Sequence, residues 1–202
     1  MKLYYTPGAC SLASHIVLRE AGLNFEAVRV DLATHLTETG EDFTTINPKG
    51  YIPALQFDTG ELLTESQVIL QYLADSAPDS GLVPAQGTLP RYRVMEWLAY
   101  IATELHKSFG PLWNRQTPEA ARQLTISQLA KRFDFLNAHL KQQDYIAGEG
   151  FGIADAYLFT VLRWTDPHHI DLTPWPRLIA YQNTISQRPA VHAALVAEGL
   201  VG

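Results

Sequence analysis

The stretch YTPGACSLASHIVLREAG, residues 5–22, carries the chain's single cysteine, Cys10, directly ahead of an amphipathic helical pattern. A thiol at a helix mouth sits where free backbone N–H groups and the positive dipole end converge, which favours thiolate over thiol. The alternative is a small buried residue that happens to be sulfur. Positions 10–13 read Cys-Ser-Leu-Ala, so there is no Cys-x-x-Cys pair and no resolving thiol. A reactive Cys10 must therefore meet a thiol or electrophile from outside. In GYIPAL, Ile52 precedes Pro53 at a strand entrance, where a cis proline leaves the Ile52 backbone open to an extended peptide. In TES, Glu65 and Ser66 open a helix, with N–H groups and a hydroxyl for a carboxylate and Glu65 for an ammonium. A trans proline and a dipole-complementing glutamate are the plainer readings of these two stretches. Taken together, the three describe a receptor for a thiol borne on a peptide with an α-amino-acid end.

The elements that must position these residues alternate over the first 78. KLYY reads as a strand and residues 11–22 as a helix stopped by Gly22. FEAVRVDL is a second strand, and Asp58-Thr59-Gly60 turns a hairpin. Thr64 and Gln67 form an expected capping box for the helix that follows. A strand-helix-strand start implies a parallel pair. Residues 79–87, rich in Pro and Gly, read as a linker. From 88 to 202 the periodicity is helical, with one long helix through RYRVMEWLAYIATELHKSF and a wholly apolar one through IADAYLFTVLRW. The fold class expected is a small α/β domain joined to an all-α domain.

Composition limits the partners. The chain has 202 residues and a formal net charge of −6, which disfavours nucleic acid and anionic membrane surfaces. No apolar run approaches the roughly 20 residues of a membrane span. With one cysteine and no signal-peptide pattern, a cytoplasmic location is expected.

The stretches MKLYYTPGACSLASHIVLRE, NPKGYIPAL, LLTES, RYRVMEWLAYIATELHK and IADAYLFTVLRW, spread over both domains, resemble the cytosolic glutathione transferases of the bacterial beta class. The resemblance implies a thioredoxin-like N-terminal domain, a two-fold homodimer, and an enzyme of detoxification. That enzyme binds glutathione as co-substrate, without a cofactor, and transfers its thiolate to hydrophobic electrophiles in a cleft between the domains. Carried over by position, Cys10 meets the glutathione sulfur and Ile52 pairs with the cysteinyl part, with Pro53 cis. Glu65 and Ser66 take the γ-glutamyl end, and His106 with Thr103 points from the helical domain. Cys10 and His106 are the expected catalytic pair, and Tyr5, Ser11 and Lys107 form a second tier around them. Trp113 and Trp164 are candidates for the electrophile pocket. Thiol-disulfide exchange or peroxide reduction through Cys10 is a further expectation.

Three positions depart from the family pattern. His35 stands where a lysine usually meets the glycyl carboxylate, Ala99 where an asparagine usually reaches the γ-glutamyl group, and Gly152 where Ser or Thr usually caps a helix three residues before Asp155. Weaker glutathione binding is expected from the first two. The helix should survive a glycine cap at a cost of a few tenths of a kcal/mol. In DPHHID the adjacent histidines diverge on a helix, so no metal site is expected. The competing function is a non-catalytic ligand carrier or protein-interaction module on the same fold.

Overall fold

The computed structural model describes residues 1–201. They divide into two units, Met1–Val83 together with the segment from Gln187 onward, and Pro84–Ser186.

The first unit is built on a five-stranded sheet. Strand β1 (Lys2–Tyr5) pairs in parallel with β2 (Glu26–Asp31) and antiparallel with β4 (Ala54–Gln56). The edges are β3 (Leu36–Thr37) and β5 (Leu62–Thr64), giving the order β3-β2-β1-β4-β5. The parallel pair requires the crossover through α1 (Ser11–Glu20). Eight of the ten α1 residues are buried, because the helix packs on β1, α3 (Ser66–Asp75) and α9 (Pro189–Ala197). Gly60, at φ 88°, makes the turn of the β4–β5 hairpin as the sequence predicts. The Thr-rich stretch read as irregular holds β3 and a single turn, α2 (Phe43–Ile46), started by Asp42 accepting from the Thr44 amide at 2.9 Å.

Two expectations for this unit are corrected. The Thr64/Gln67 capping box does not form. Glu65 itself precedes α3 at φ 71°, no side chain caps the helix, and the Thr64 hydroxyl accepts from Lys49 Nζ instead. The residues from 187 onward, placed by the sequence with the helical domain, belong with the sheet. Helix α9 packs along α1, and Glu198 accepts from the Gly8 amide and from His15 Nδ1, each at 2.9 Å. Arg188 adds a two-point ion pair with Glu20 at 2.7 and 2.9 Å. Helical periodicity alone says nothing of which neighbour a helix covers.

In the second unit α4 (Leu89–Tyr100) starts at Thr88, whose hydroxyl accepts from the Arg91 amide. The single long helix expected from the pattern changes winding at Ile101. A π-helical turn covers Ile101–His106, a 3₁₀ turn Lys107–Phe109, and α5 follows at Gly110–Trp113. Helix α6 (Glu119–His139) and α8 (Pro176–Ser186) complete the unit around α7 (Ile153–Leu162), every residue of which is buried, as an all-round apolar pattern dictates. Glycine at the start of α7 offers no capping side chain, and Asp155 in the first turn reaches back to tie that end to its surroundings. Its carboxylate accepts from the Gly152 amide at 3.0 Å, the Ile146 amide at 2.8 Å and the Tyr181 hydroxyl at 2.8 Å. Burial still pushes Asp155 up to about 6, against those three donors.

Candidate functional site

Cys10 is the residue immediately before α1 and is buried, 8 % exposed. Its thiol lies 3.5 Å from the Ile52 carbonyl oxygen, an acceptor only, so the contact needs the sulfur protonated. The Ile52–Pro53 peptide is cis. The Ile52 amide has no partner among the described residues, which leaves a donor directed at whatever lies along that edge. The sequence expectation of a depressed thiol pKa is reversed. Burial pushes Cys10 from its ordinary value of 9.0 up to about 11. The Ser66 side chain and the Cys10 and Ser11 amides pull the other way, and the nearby Glu65 carboxylate adds to the rise. A helix dipole is worth about 0.3–1 kcal/mol, whereas two pKa units are about 2.7 kcal/mol, so burial wins.

Glu65 and Ser66 stand beside this sulfur. Ser66 is buried, and its side chain favours the Cys10 thiolate against the larger effect of burial. The uncapped start of α3 leaves the Ser66 and Gln67 amides without an acceptor among the described residues. Glu65, the third non-glycine residue at positive φ besides His35 and His169, turns a half-exposed carboxylate away from the helix. Sequence reasoning missed what meets it there. Lys49 Nζ lies 3.0 Å from Glu65 Oε1 and the Tyr51 hydroxyl donates to the same oxygen at 2.8 Å. An ammonium already occupies the site predicted to hold one. PKGY immediately precedes the cis-proline strand, but no local pattern ties it to Glu65.

His35 adopts φ 58° in the turn between β2 and β3, with its ring packed over Gly50. Its Nδ1 is buried and has no hydrogen-bond partner, a free polar atom of the kind a ligand carboxylate can use. Two second-tier candidates are committed elsewhere. The Ser11 hydroxyl bridges the Thr6 amide and carbonyl at 3.3 Å, so only the Ser11 backbone serves Cys10. The Tyr5 ring packs edge-on against His15 at 5.9 Å.

The second unit gathers a separate aromatic cluster. His106, at the end of the π turn, places Nδ1 2.6 Å from the Tyr157 hydroxyl and its ring 4.8 Å from Trp164. Trp164 is buried and meets both Phe109 and the half-exposed Trp113, which in turn lies 4.2 Å from His168. Burial holds His168 below the usual imidazole range, with Arg122 and His169 adding to the effect. Thr103 is exposed and donates to the Ala99 carbonyl at 3.0 Å, and Lys107 is exposed. Among the described residues no group of three or more His, Cys, Asp or Glu could hold a metal ion, and no helix is long and apolar enough to cross a membrane.

A sheet unit with a cysteine against a cis-proline edge, in a chain that also carries a helical unit, is the layout of one large family. The family model "Glutathione S-transferase, N-terminal domain" matches residues 8–76 and "Glutathione S-transferase, C-terminal domain" matches residues 97–189. The chain belongs to the glutathione S-transferase family. It is 50% identical to glutathione S-transferase GstA of Escherichia coli O157:H7 over 99% of this chain and 100% of that one. Among solved structures, a beta-class glutathione S-transferase of Sphingomonas chungbukensis superposes with a TM-score of 0.97 at 48% identity, covering 100% of both chains. A sphingomonad glutathione S-transferase complexed with glutathione gives 0.96 at 49%, again over 100% of both.

Proposed function

We propose that the protein binds glutathione and transfers its sulfur to hydrophobic electrophiles. The glutathione thiolate attacks an electrophilic carbon, the carbon–sulfur bond forms, and the leaving group departs with the electron pair of its bond. The observation that carries this reading is the arrangement in the first unit of Cys10, the unpartnered Ile52 amide and the open start of α3 at Glu65-Ser66. It matches a thiol, a peptide bond and an α-amino-acid end in turn. The glutathione-bound sphingomonad relative supports the choice of ligand.

In this reading Cys10 works as a thiol. At neutral pH about one molecule in ten thousand carries the thiolate if the pKa is near 11, so Cys10 donates a hydrogen bond to the incoming sulfur anion rather than attacking. That stabilises the glutathione thiolate at the pH where the reaction runs. Mixed-disulfide chemistry through Cys10 is correspondingly slow, a secondary part of the proposal. Glu65 takes the α-ammonium in exchange for Lys49, Ser66 and the α3 amides take the α-carboxylate, and the free His35 nitrogen takes the glycyl carboxylate. From the second unit His106 contributes a further donor to glutathione. Thr103, Lys107, Trp113 and Trp164 are the candidates for the electrophile's surroundings. A homodimer is part of the reading, supported by the exposed Tyr92 and Met95 on α4 and Phe135 on α6, and so is a cytoplasmic location.

Retention on immobilised glutathione, with turnover of a chromogenic aryl halide, tests the reading. Binding with turnover is expected. Binding without turnover turns the protein into a ligand carrier, and loss of both removes glutathione altogether. A Cys10→Ala protein that keeps full disulfide-exchange activity removes the redox part alone.

A further inference from the structure

We propose that Tyr157 is a positioning residue that fixes the tautomer of His106, so that the neutral imidazole presents Nε2–H as a hydrogen-bond donor. This role rests on the reading that His106 serves glutathione, and no local pattern in IADAYLFTVLRW marks Tyr157 for it. Tyr157 belongs to α7, 51 positions from His106, and its side chain is 2% exposed.

Two observations combine. The first is the contact itself. The Tyr157 oxygen and His106 Nδ1 lie 2.6 Å apart. That is shorter than the roughly 2.9–3.0 Å typical of an N–H donor to oxygen and close to the O–H donor range. A phenol is the better acid of the pair and a neutral imidazole nitrogen the better base, so the hydroxyl donates and Nδ1 accepts. With Nδ1 occupied as an acceptor, the ring's one proton resides on Nε2. The second is the backbone. His106 closes a π-helical turn, Ile101–His106, between α4 and a 3₁₀ turn. An i→i+5 turn inserted in an α-helix rotates the residues beyond it relative to those before it. Here it sets the ring against Tyr157 on one side and edge-on to Trp164 at 4.8 Å.

The consequence is a donor that needs no positive charge. An imidazole with Nδ1–H would instead offer Nε2 as a lone pair, which repels a carboxylate or thiolate. Tyr157 thereby decides whether His106 can meet an anion at all.

The direct test is spectroscopic and uses the whole protein. In ¹⁵N–¹H correlation spectra of ¹⁵N-labelled protein, with the His106 signals assigned by their loss in His106→Ala, Nε2 should appear protonated and Nδ1 as an acceptor. Tyr157→Phe should shift the ring to a mixture of tautomers and raise the glutathione KM roughly fivefold, the worth of one hydrogen bond, with kcat changing less. The same substitution made on His106→Ala should have no further effect on KM. A wild-type ring protonated at Nδ1 overturns the proposal. So does a Tyr157→Phe penalty of equal size with and without His106, which would mark Tyr157 as a packing residue. If instead His106→Ala leaves the glutathione KM unchanged, the role of His106 fails, while the tautomer is still read from the spectra.

Discussion

The start of α7 and the start of α3 each place a carboxylate close to a helix end without a capping hydroxyl, and use it in opposite ways. At α7 the chain supplies its own carboxylate. Asp155 takes the Gly152 and Ile146 amides and the Tyr181 hydroxyl, and it is buried doing so. At α3 the nearby carboxylate, Glu65, is half-exposed, held by Lys49 and Tyr51, and the first amides of the helix go without an acceptor. The Ile153 and Ala154 amides of α7 also lack an acceptor among the described residues, so the difference lies in the acid: a buried Asp155 ties its helix start to the Ile146 loop and to Tyr181 and holds a domain together. A helix start whose acid is half-exposed and whose first amides stay open is suited to taking an ion from outside. Cys10, at a third helix start, shows that burial rather than backbone dipole decides which protonation state such a position favours.

The comparison can be broken most forcefully at α7. Asp155→Ala strands three donors, so the unfolding free energy should fall by about 3 kcal/mol or more in urea titrations, with the glutathione KM of the folded protein kept. A loss of glutathione affinity without loss of stability would reverse the roles assigned to the two helix starts.

Cys10 sharpens it next. With the thiol near 11, its alkylation by iodoacetamide at pH 7 should run about a hundredfold slower than for an unburied thiol, and rise tenfold per pH unit toward pH 11. The folded state holds this proton more tightly than the unfolded chain. The stabilisation it brings is therefore complete below pH 9 and lost as the pH climbs to about 11. A rate that levels off below pH 8 would contradict the buried, protonated thiol.

At α3, Glu65→Gln should raise the glutathione KM roughly thirtyfold, the usual worth of a hydrogen bond to a charged group, with little change in stability. It should also bring the Cys10 alkylation profile to lower pH, because the Glu65 carboxylate contributes to the raised thiol pKa. Lys49→Met should do least. The Lys49–Glu65 pair is half-exposed and screened by solvent, so thermal unfolding should barely move. A larger loss would mean that the ion pair holds the open helix end in place.

The order of elements was legible because each carries its own signal: alternation in FEAVRVDL, the Asp58-Thr59-Gly60 turn, and the all-round apolar run of α7. Cys10, Ile52, Pro53, Glu65 and Ser66 could be named as a group for the same reason, since each sits at a recognisable boundary. What escaped depends on distance in sequence or on solvent. Nothing local to KGY says that Lys49 and Tyr51 converge on Glu65 across 16 and 14 positions. Nothing in ATELHK marks Tyr157 as the partner of His106. The Thr64/Gln67 pattern misled because Glu65 takes a positive φ that no propensity favours. The thiol's protonation followed from how much water reaches it, a quantity that spacing does not encode.

Glu198 ties the Gly8 amide and His15 into one fixed arrangement, and a side chain at Gly8 would press on Leu200 at 3.3 Å. The turn that presents Cys10 is thus finished by residues made almost two hundred positions later. On the ribosome the sheet unit emerges first yet stays incomplete until that late stretch has been synthesised, so the helical unit has its whole sequence available to fold before the thiol's surroundings are sealed.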